Sequence, residues 1–231
     1  MELIPVLDLM GGVVVHARRG ERAAYRPIET PLAAGAAPAD IAAALLALAP
    51  FRTLYVADLD AIAGGSGHDG EMQALVTRHP GLSLWVDAGE ASPRAVARRV
   101  QQGPGRPVVG SETVASFEEA RAALTGGAVL SLDHGPEGPR GPAALHEQPE
   151  TWPDEVIVMT LARVGAGQGP DLDKLRAVLA QAGGRRVYAA GGVRDADDLA
   201  RLAEIGCAGV LLASALHDGR LTRRDIEAFM V

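Results

Sequence analysis

Short runs of consecutive apolar residues recur along the chain, most of them ending in Asp, Gly or Ala. They predict strands at Glu2 to Leu9, Thr53 to Asp60, Leu82 to Asp87, Pro107 to Gly110, Ala128 to Asp133, Val156 to Leu161, Arg186 to Ala190 and Gly209 to Ala213. Within the runs apolar residues follow one another instead of alternating with polar ones. Strands buried on both faces of a parallel sheet have this pattern. Helical stretches with clear boundaries separate the runs. Ala39 to Ala49 stops at Pro50, and Gly70 to His79 stops at Pro80-Gly81. Ser92-Pro93 pairs an N-cap with proline at the first helical position. Ser116-Phe117-Glu118-Glu119 reads as a capping box. Asp171 to Ala182 is the next helix, and Asp195 and Thr222 cap the last two. Val13 to Arg18 predicts a short hairpin arm, and Gly20 to Pro38 a long loop of the kind that often serves as a lid. Gly135 to Pro153 holds at most a short helix.

The pattern repeats. Val56-Ala57-Asp58-Leu59 matches Val158-Met159-Thr160-Leu161 at an offset of 160 − 58 = 102. Ala88-Gly89 matches Gly191-Gly192, and Val108-Val109-Gly110-Ser111 matches Leu211-Leu212-Ala213-Ser214, at 192 − 89 = 103 and 213 − 110 = 103. The first strand, ending in Leu7-Asp8, matches Leu132-Asp133 at 133 − 8 = 125, so the first half carries about twenty extra residues after its first strand. Eight β–α units with an internal twofold repeat predict an α/β chain folded as one (β/α)8 TIM barrel over 1–231. Its half-barrels are approximately 1–126 and 127–231. A doubly wound open sheet is the rival, and it does not predict the repeat.

Composition narrows the function. Net charge −7 argues against a nucleic-acid binder. The longest apolar run, Ile41 to Phe51, is too short to span a bilayer, and Met1-Glu2-Leu3 leads straight into a strand with no secretory signal. The single Cys207 fits a reducing cytoplasm and reads as core. Lys174, the only lysine, lies at a helix start and not at a strand end, against a Schiff-base enzyme. The six histidines show no metal-ligand spacing, and no cofactor motif is present; only His134, beside Asp133, is placed for a site, and it reads as facing a wall or the loop.

In a TIM barrel, working residues sit at the C-terminal ends of the strands. Asp8 and Asp133 occupy matching places in the two halves and should face each other across the mouth, as a base and an acid. Their alternative role is to cap loops. Asp58, beside Asp60, reads as a loop-holding carboxylate. Gly191-Gly192, with Ala213-Ser214, offers backbone close to a ligand and a place for a phosphate, or else only a tight turn. Gly89, Gly110 and Ser111 are the corresponding positions in the first half.

The ordered set Ile4-Pro5-Val6-Leu7-Asp8, Val56-Ala57-Asp58-Leu59-Asp60-Ala61, Val109-Gly110-Ser111, Ser131-Leu132-Asp133, Ala190-Gly191-Gly192-Val193 and Gly209 to Leu216 resembles the HisA/HisF family of histidine biosynthesis over nearly the whole chain. The resemblance implies an Amadori rearrangement of an aminoaldose to an aminoketose on a phosphorylated ribose derivative, with no cofactor. It implies Asp8 as the base at C2, Asp133 as the acid that opens the ring and Thr160 as an assisting group. The chain departs from the family pattern where substrate is read. Asp87-Ala88-Gly89-Glu90 replaces a run of three glycines, Arg163-Val164-Gly165-Ala166-Gly167 replaces an Asp-Gly-Thr loop, and Ala213-Ser214 replaces a Gly-Lys or Gly-Arg. In these departures it is similar to HisA/HisF-related proteins of one-carbon-metabolising microbes. Three readings follow: an isomerase on the family's substrate, an enzyme acting on a different monophosphorylated metabolite, and a barrel that binds a phosphate metabolite without turning it over.

Overall fold

The computed structural model describes residues 1–17 and 22–230. Eight parallel strands close into a barrel: β1 (Glu2–Met10), β2 (Thr53–Asp58), β3 (Ser83–Asp87), β4 (Arg106–Gly110), β5 (Val129–Gly135), β6 (Glu155–Thr160), β7 (Arg186–Ala190) and β8 (Gly209–Leu212). Each pairs with the next, and β8 pairs with β1. The helices between them are α1 (Pro38–Leu48), α2 (Asp69–Arg78), α3 (Pro93–Gln102), α4 (Phe117–Leu124), α5 (Ala143–Glu147), α6 (Leu172–Gln181), α7 (Ala196–Glu204) and α8 (Arg223–Phe229). This is the (β/α)8 TIM barrel that the apolar runs predict.

The register carries the internal repeat. Val6 pairs with Tyr55 in the first half, and Ser131, 125 positions on, pairs with Ile157, 102 positions on from Tyr55 (131 − 6 = 125; 157 − 55 = 102). Ala57 opposite Asp87 becomes Met159 opposite Ala190. Even the seams correspond: Val108 pairs with Val129, and Leu211 pairs with Ile4. The offsets in the sequence are therefore also offsets in strand pairing.

Strand alternation divides the apolar residues into two cores. Ile4, Tyr55, Trp85, Val108, Val129, Ile157, Tyr188 and Leu211 fill the barrel interior. Leu3, Leu7, Leu54, Val56, Leu84, Val86, Val109, Leu130, Val156, Val158, Val187 and Val210 face the helices. Both faces are buried, which explains the unbroken apolar runs. Trp85 and Tyr188 meet edge to face with ring centroids 4.8 Å apart, filling the interior from opposite walls.

Several boundaries differ from the sequence reading for local reasons. The second strand stops at Asp58 because that carboxylate accepts the Ala61 N–H and starts a helical turn, Leu59–Ile62. The fifth strand runs on to Gly135, because Gly135 and His134 pair with Gly138 and Pro139 in a small hairpin. Ala213 lies outside β8 and precedes the turn Ser214–His217. Ser116 caps α4 by accepting the Glu119 N–H. Thr222 and Asp225 cap α8 reciprocally, a full capping box. The hairpin arm forms where Val13–Val14 pairs with Leu9 and Met10; its predicted end, Arg18, and the loop start at Gly20 lie outside the described residues. The described part of the long loop folds back on this arm through Ile28 N–H to the Val14 carbonyl and Val14 N–H to the Ala36 carbonyl.

Candidate active site

A cavity of about 300 Å³ opens at the C-terminal mouth of the barrel. Alternation along the strands decides what enters it. The positions in phase with the interior core, Asp8, Ala57, Asp87, Asp133, Met159, Ala190 and Ala213, reach its wall. The two carboxylates at matching places in the halves, Asp8 and Asp133, are thus brought to one cavity. Asp87 joins them as a third carboxylate, from β3, and Tyr55 lies among all three.

Burial dominates the chemistry of these groups. It raises the Asp8 carboxyl from an ordinary 3.8 to about 7. Among the described residues, no donor reaches the Asp8 side chain to offset that rise. Asp133 is also raised to about 7, first by burial and then by the charges of Asp87 and Glu112; hydrogen bonds from Ser131 and the Glu112 N–H oppose the rise. Ser131 Oγ lies 2.7 Å from Asp133 Oδ1, and Ser111 Oγ donates to Oδ2 at 3.3 Å. Asp87 rises less, to about 6, because the Gly89 N–H and the Tyr55 hydroxyl donate to its carboxylate. The Tyr55 hydroxyl is held protonated, well above its usual range, by burial and then by the charges of Asp87, Asp133 and Asp8. An acid and a base that both titrate near neutrality can exchange protons with a substrate at working pH.

The remaining sequence-predicted residues are placed as follows. Gly191, Gly192, Ala213 and Ser214 line the cavity on its second-half side, with Val193, Gly165 and Gly167. Both glycines of the pair have positive φ, 99° and 97°. A methyl group on Gly191 would stand 2.7 Å from the Thr160 carbonyl oxygen, and on Gly192 only 2.3 Å from that of Gly169. The pair therefore lets the loop after β6 pack against the loop after β7, whatever ligand it meets. Ser214 Oγ lies 3.1 Å from His16 Nε2. Gly89, Gly110 and Ser111 are not in the cavity wall; Asp87 and Glu112 stand in their place. Thr160 is buried on the helix-facing phase of β6, and the wall at that strand end is made by Met159 and Leu161.

Other carboxylates hold the scaffold. Asp58 is fully buried and accepts from Ala61 N–H, His68 N–H and His68 Nδ1 at 3.1, 2.6 and 2.9 Å. Gly12 N–H donates to His68 Nε2 at 3.0 Å, which assigns the ring proton to Nδ1. Asp60 accepts the Gly11 N–H at 2.6 Å. Asp58, His68 and Asp60 together tie the loop after β2 to the glycines after β1. Glu90 turns away from the cavity and pairs with Arg99 of α3, which also reaches Asp69 at 3.0 Å. His134 donates from Nδ1 to the Leu132 carbonyl, stacks edge-on with His146 and does not line the cavity. Burial pushes its imidazole down to about 4, so it stays neutral. Among the described residues, no group of three or more His, Cys, Asp and Glu could hold a metal ion. No described helix is long and apolar enough to cross a membrane.

Sequence reasoning missed Tyr55, Glu112 and Arg140, together with Arg22, Tyr25 and Arg220, all in the cavity wall. Tyr55 was reachable by parity, since it lies two residues before Ala57 on the inward phase of β2. The arginines were not, because they come from loops without periodicity. Arg140 pairs with Glu112 at 2.7 Å, and Arg163 donates to the carbonyls of Gln168 and Gly169.

The model of the family described as "Histidine biosynthesis protein" matches residues 2–222. An uncharacterized protein of Methanocaldococcus jannaschii is 27% identical over 98% of this chain and 97% of its own length. A Marinobacter nauticus protein named 1-(5-phosphoribosyl)-5-((5-phosphoribosylamino)methylideneamino) imidazole-4-carboxamide isomerase is 27% identical over 99% of this chain and 98% of its own. The Streptococcus sanguinis protein of the same name is 24% identical over 98% and 97%. With a closed barrel, a twofold register and a family match across nearly its whole length, the chain belongs to the histidine biosynthesis protein family, the HisA/HisF barrels.

Proposed function

We propose that the protein is an aldose–ketose isomerase that rearranges a phosphorylated ribose derivative by acid–base chemistry, with Asp8 as base and Asp133 as acid. The observation that carries this reading is the meeting of these two carboxylates, from matching positions of the two halves, in one cavity at the barrel mouth. In the reaction, protonated Asp133 gives its proton to the ring oxygen as the C1–O bond breaks, leaving an iminium at C1. Ionised Asp8 removes the proton from C2, giving an enolamine. That proton returns at C1, the hydroxyl proton at C2 returns to Asp133, and the aminoketose results. No atom is gained or lost and both groups end as they began. Arg163, Gly191, Gly192 and Ser214 are the proposed anchors for a substrate phosphate, because a guanidinium group and close backbone suit an anion there. Thr160, on the outward phase of its strand, would act on the site only through the backbone that packs on Gly191.

A second reading keeps the chemistry but changes the substrate: a different metabolite with one phosphate. Asp87 in the wall favours it, since a carboxylate about 4 Å from a phosphate costs about 4 kcal/mol at an effective dielectric near 20. Complementation of a histidine auxotroph lacking the isomerase separates the two readings. Growth restored by the wild-type chain and lost with Asp8→Asn and Asp133→Asn supports the histidine-pathway substrate. No growth, with the purified protein still binding sugar phosphates, supports the second reading. Growth with either Asn variant sinks the acid–base assignment.

A further inference from the structure

We infer that the cavity takes a ligand phosphorylated at one end only, and that Asp87 is the residue that closes the other end to an anion. The inference rests on the reading of the cavity as a sugar-phosphate site and narrows its substrate class.

An anion is held by N–H groups that have no other partner. At the first-half end, four loop donors beside the cavity are already engaged. The Gly89 N–H donates to Asp87 Oδ1 at 3.1 Å. The Ser111 N–H donates to the Ser131 carbonyl at 2.8 Å, and the Thr113 N–H to the Gly110 carbonyl at 3.1 Å. The Glu112 N–H donates to Asp133 Oδ2 at 3.1 Å. Carboxylates also occupy the space. The point where a Gly110 side chain would begin is 3.1 Å from Asp133 Oδ2 and 3.8 Å from Asp87 Oδ2. Tyr55 holds Asp87 in this place through its hydroxyl, 3.3 Å from Oδ2. The Arg140 guanidinium is spent on Glu112.

The second-half end differs in kind. Arg163 gives its Nη1 to carbonyls and pairs with no carboxylate among the described residues, and the Gly191-Gly192 backbone faces the cavity beside Ser214. The twofold scaffold thus offers two equivalent places for an anion, and the side chains keep one. The group that reaches Asp87 and Tyr55 must then be neutral or cationic and should offer hydrogen-bond donors. The relatives' named substrate carries two 5-phosphoribosyl groups, and one of them would have to meet Asp87.

Crystals of the full chain soaked in inorganic phosphate test the placement. Titration of the two-ribotide compound into wild type and Asp87→Asn tests the cause. The expected result is one ion beside Gly192 and Ser214, none between Gly89 and Gly110, and binding of the two-ribotide compound at least about tenfold tighter in Asp87→Asn. A well-occupied ion between Gly89 and Gly110 in wild type overturns the inference while leaving the sugar-phosphate reading intact. So does equal affinity of the two proteins for the two-ribotide compound, once circular dichroism shows the variant folded. No ion at Gly192 and Ser214 at saturating phosphate removes the sugar-phosphate reading, and this inference with it.

Discussion

Replacing Asp8 by Asn should make the protein more stable at alkaline pH and nearly inactive. Asp8 titrates near 3.8 in an unfolded chain and near 7 in the barrel, because burial disfavours its charge. A carboxyl raised on folding binds its proton more tightly in the native state, so stability falls as pH rises from the unfolded value to the folded one. Above pH 7 the full penalty is present, about 3 units at about 1.4 kcal/mol each, or about 4 kcal/mol. Below about pH 4 both states are protonated and the penalty is mostly gone. Asn is close in shape and carries no charge, so it removes the penalty and leaves the packing. Cavity water relieves part of the cost, and the expected gain at pH 8 is about 2–4 kcal/mol, or roughly 5–15 °C in Tm for a chain of this length. At pH 4 the gain should shrink below about 1 kcal/mol. Urea unfolding of both proteins at pH 8 and pH 4, followed by far-ultraviolet circular dichroism, measures it. A variant no more stable than wild type at pH 8, or equally stabilised at both pH values, would refute the burial account of Asp8. The same variant should lose about a hundredfold or more in turnover if Asp8 is the base. That would be stability surrendered for function.

Three further outcomes follow from the site and its scaffold. With Asp8 needed ionised and Asp133 needed protonated, and both near 7, kcat/KM should trace a narrow bell centred near pH 7; a rate still rising at pH 9 would contradict the roles assigned. Gly192→Ala should cost about 2–4 kcal/mol, because its methyl would stand 2.3 Å from the Gly169 carbonyl oxygen at a φ that alanine rarely adopts; denaturant midpoints give the value, and a loss under about 0.5 kcal/mol would show the loop can yield. Asp58→Ala should cost about 3 kcal/mol or more, because it strands the N–H groups of Ala61 and His68 and the His68 ring; hydrogen exchange faster in the loop after β2 than elsewhere would locate the damage there, and an unchanged midpoint would remove its loop-holding role.

The sequence by itself determined the barrel, its repeat and the two carboxylates. Buried strands must be apolar on both faces, so their runs stand out, and a duplicated unit keeps its spacing, so offsets near 102 and 103 survive in the chain and reappear in the strand register. Asp8 and Asp133 were legible because each ends such a run at a matching place. The roles of Asp58 and His134 were also legible, one tied into loops and the other kept out of the cavity. Tertiary structure decided the rest. Asp87 and Glu90 are three residues apart and chemically alike, yet one enters the cavity with Tyr55 and the other leaves it for Arg99, because a strand end and the loop after it point in different directions. Thr160 and Met159 are neighbours, and a one-residue change of phase put Met159 in the wall. Arg22, Arg140, Arg163 and Arg220 line one cavity from loops distant in sequence, where no period links position to direction. The donors at Gly89 and Ser111 looked open to an anion in the sequence, and only the folded chain shows their hydrogen bonds already made, since a buried N–H takes whatever acceptor packing brings within reach.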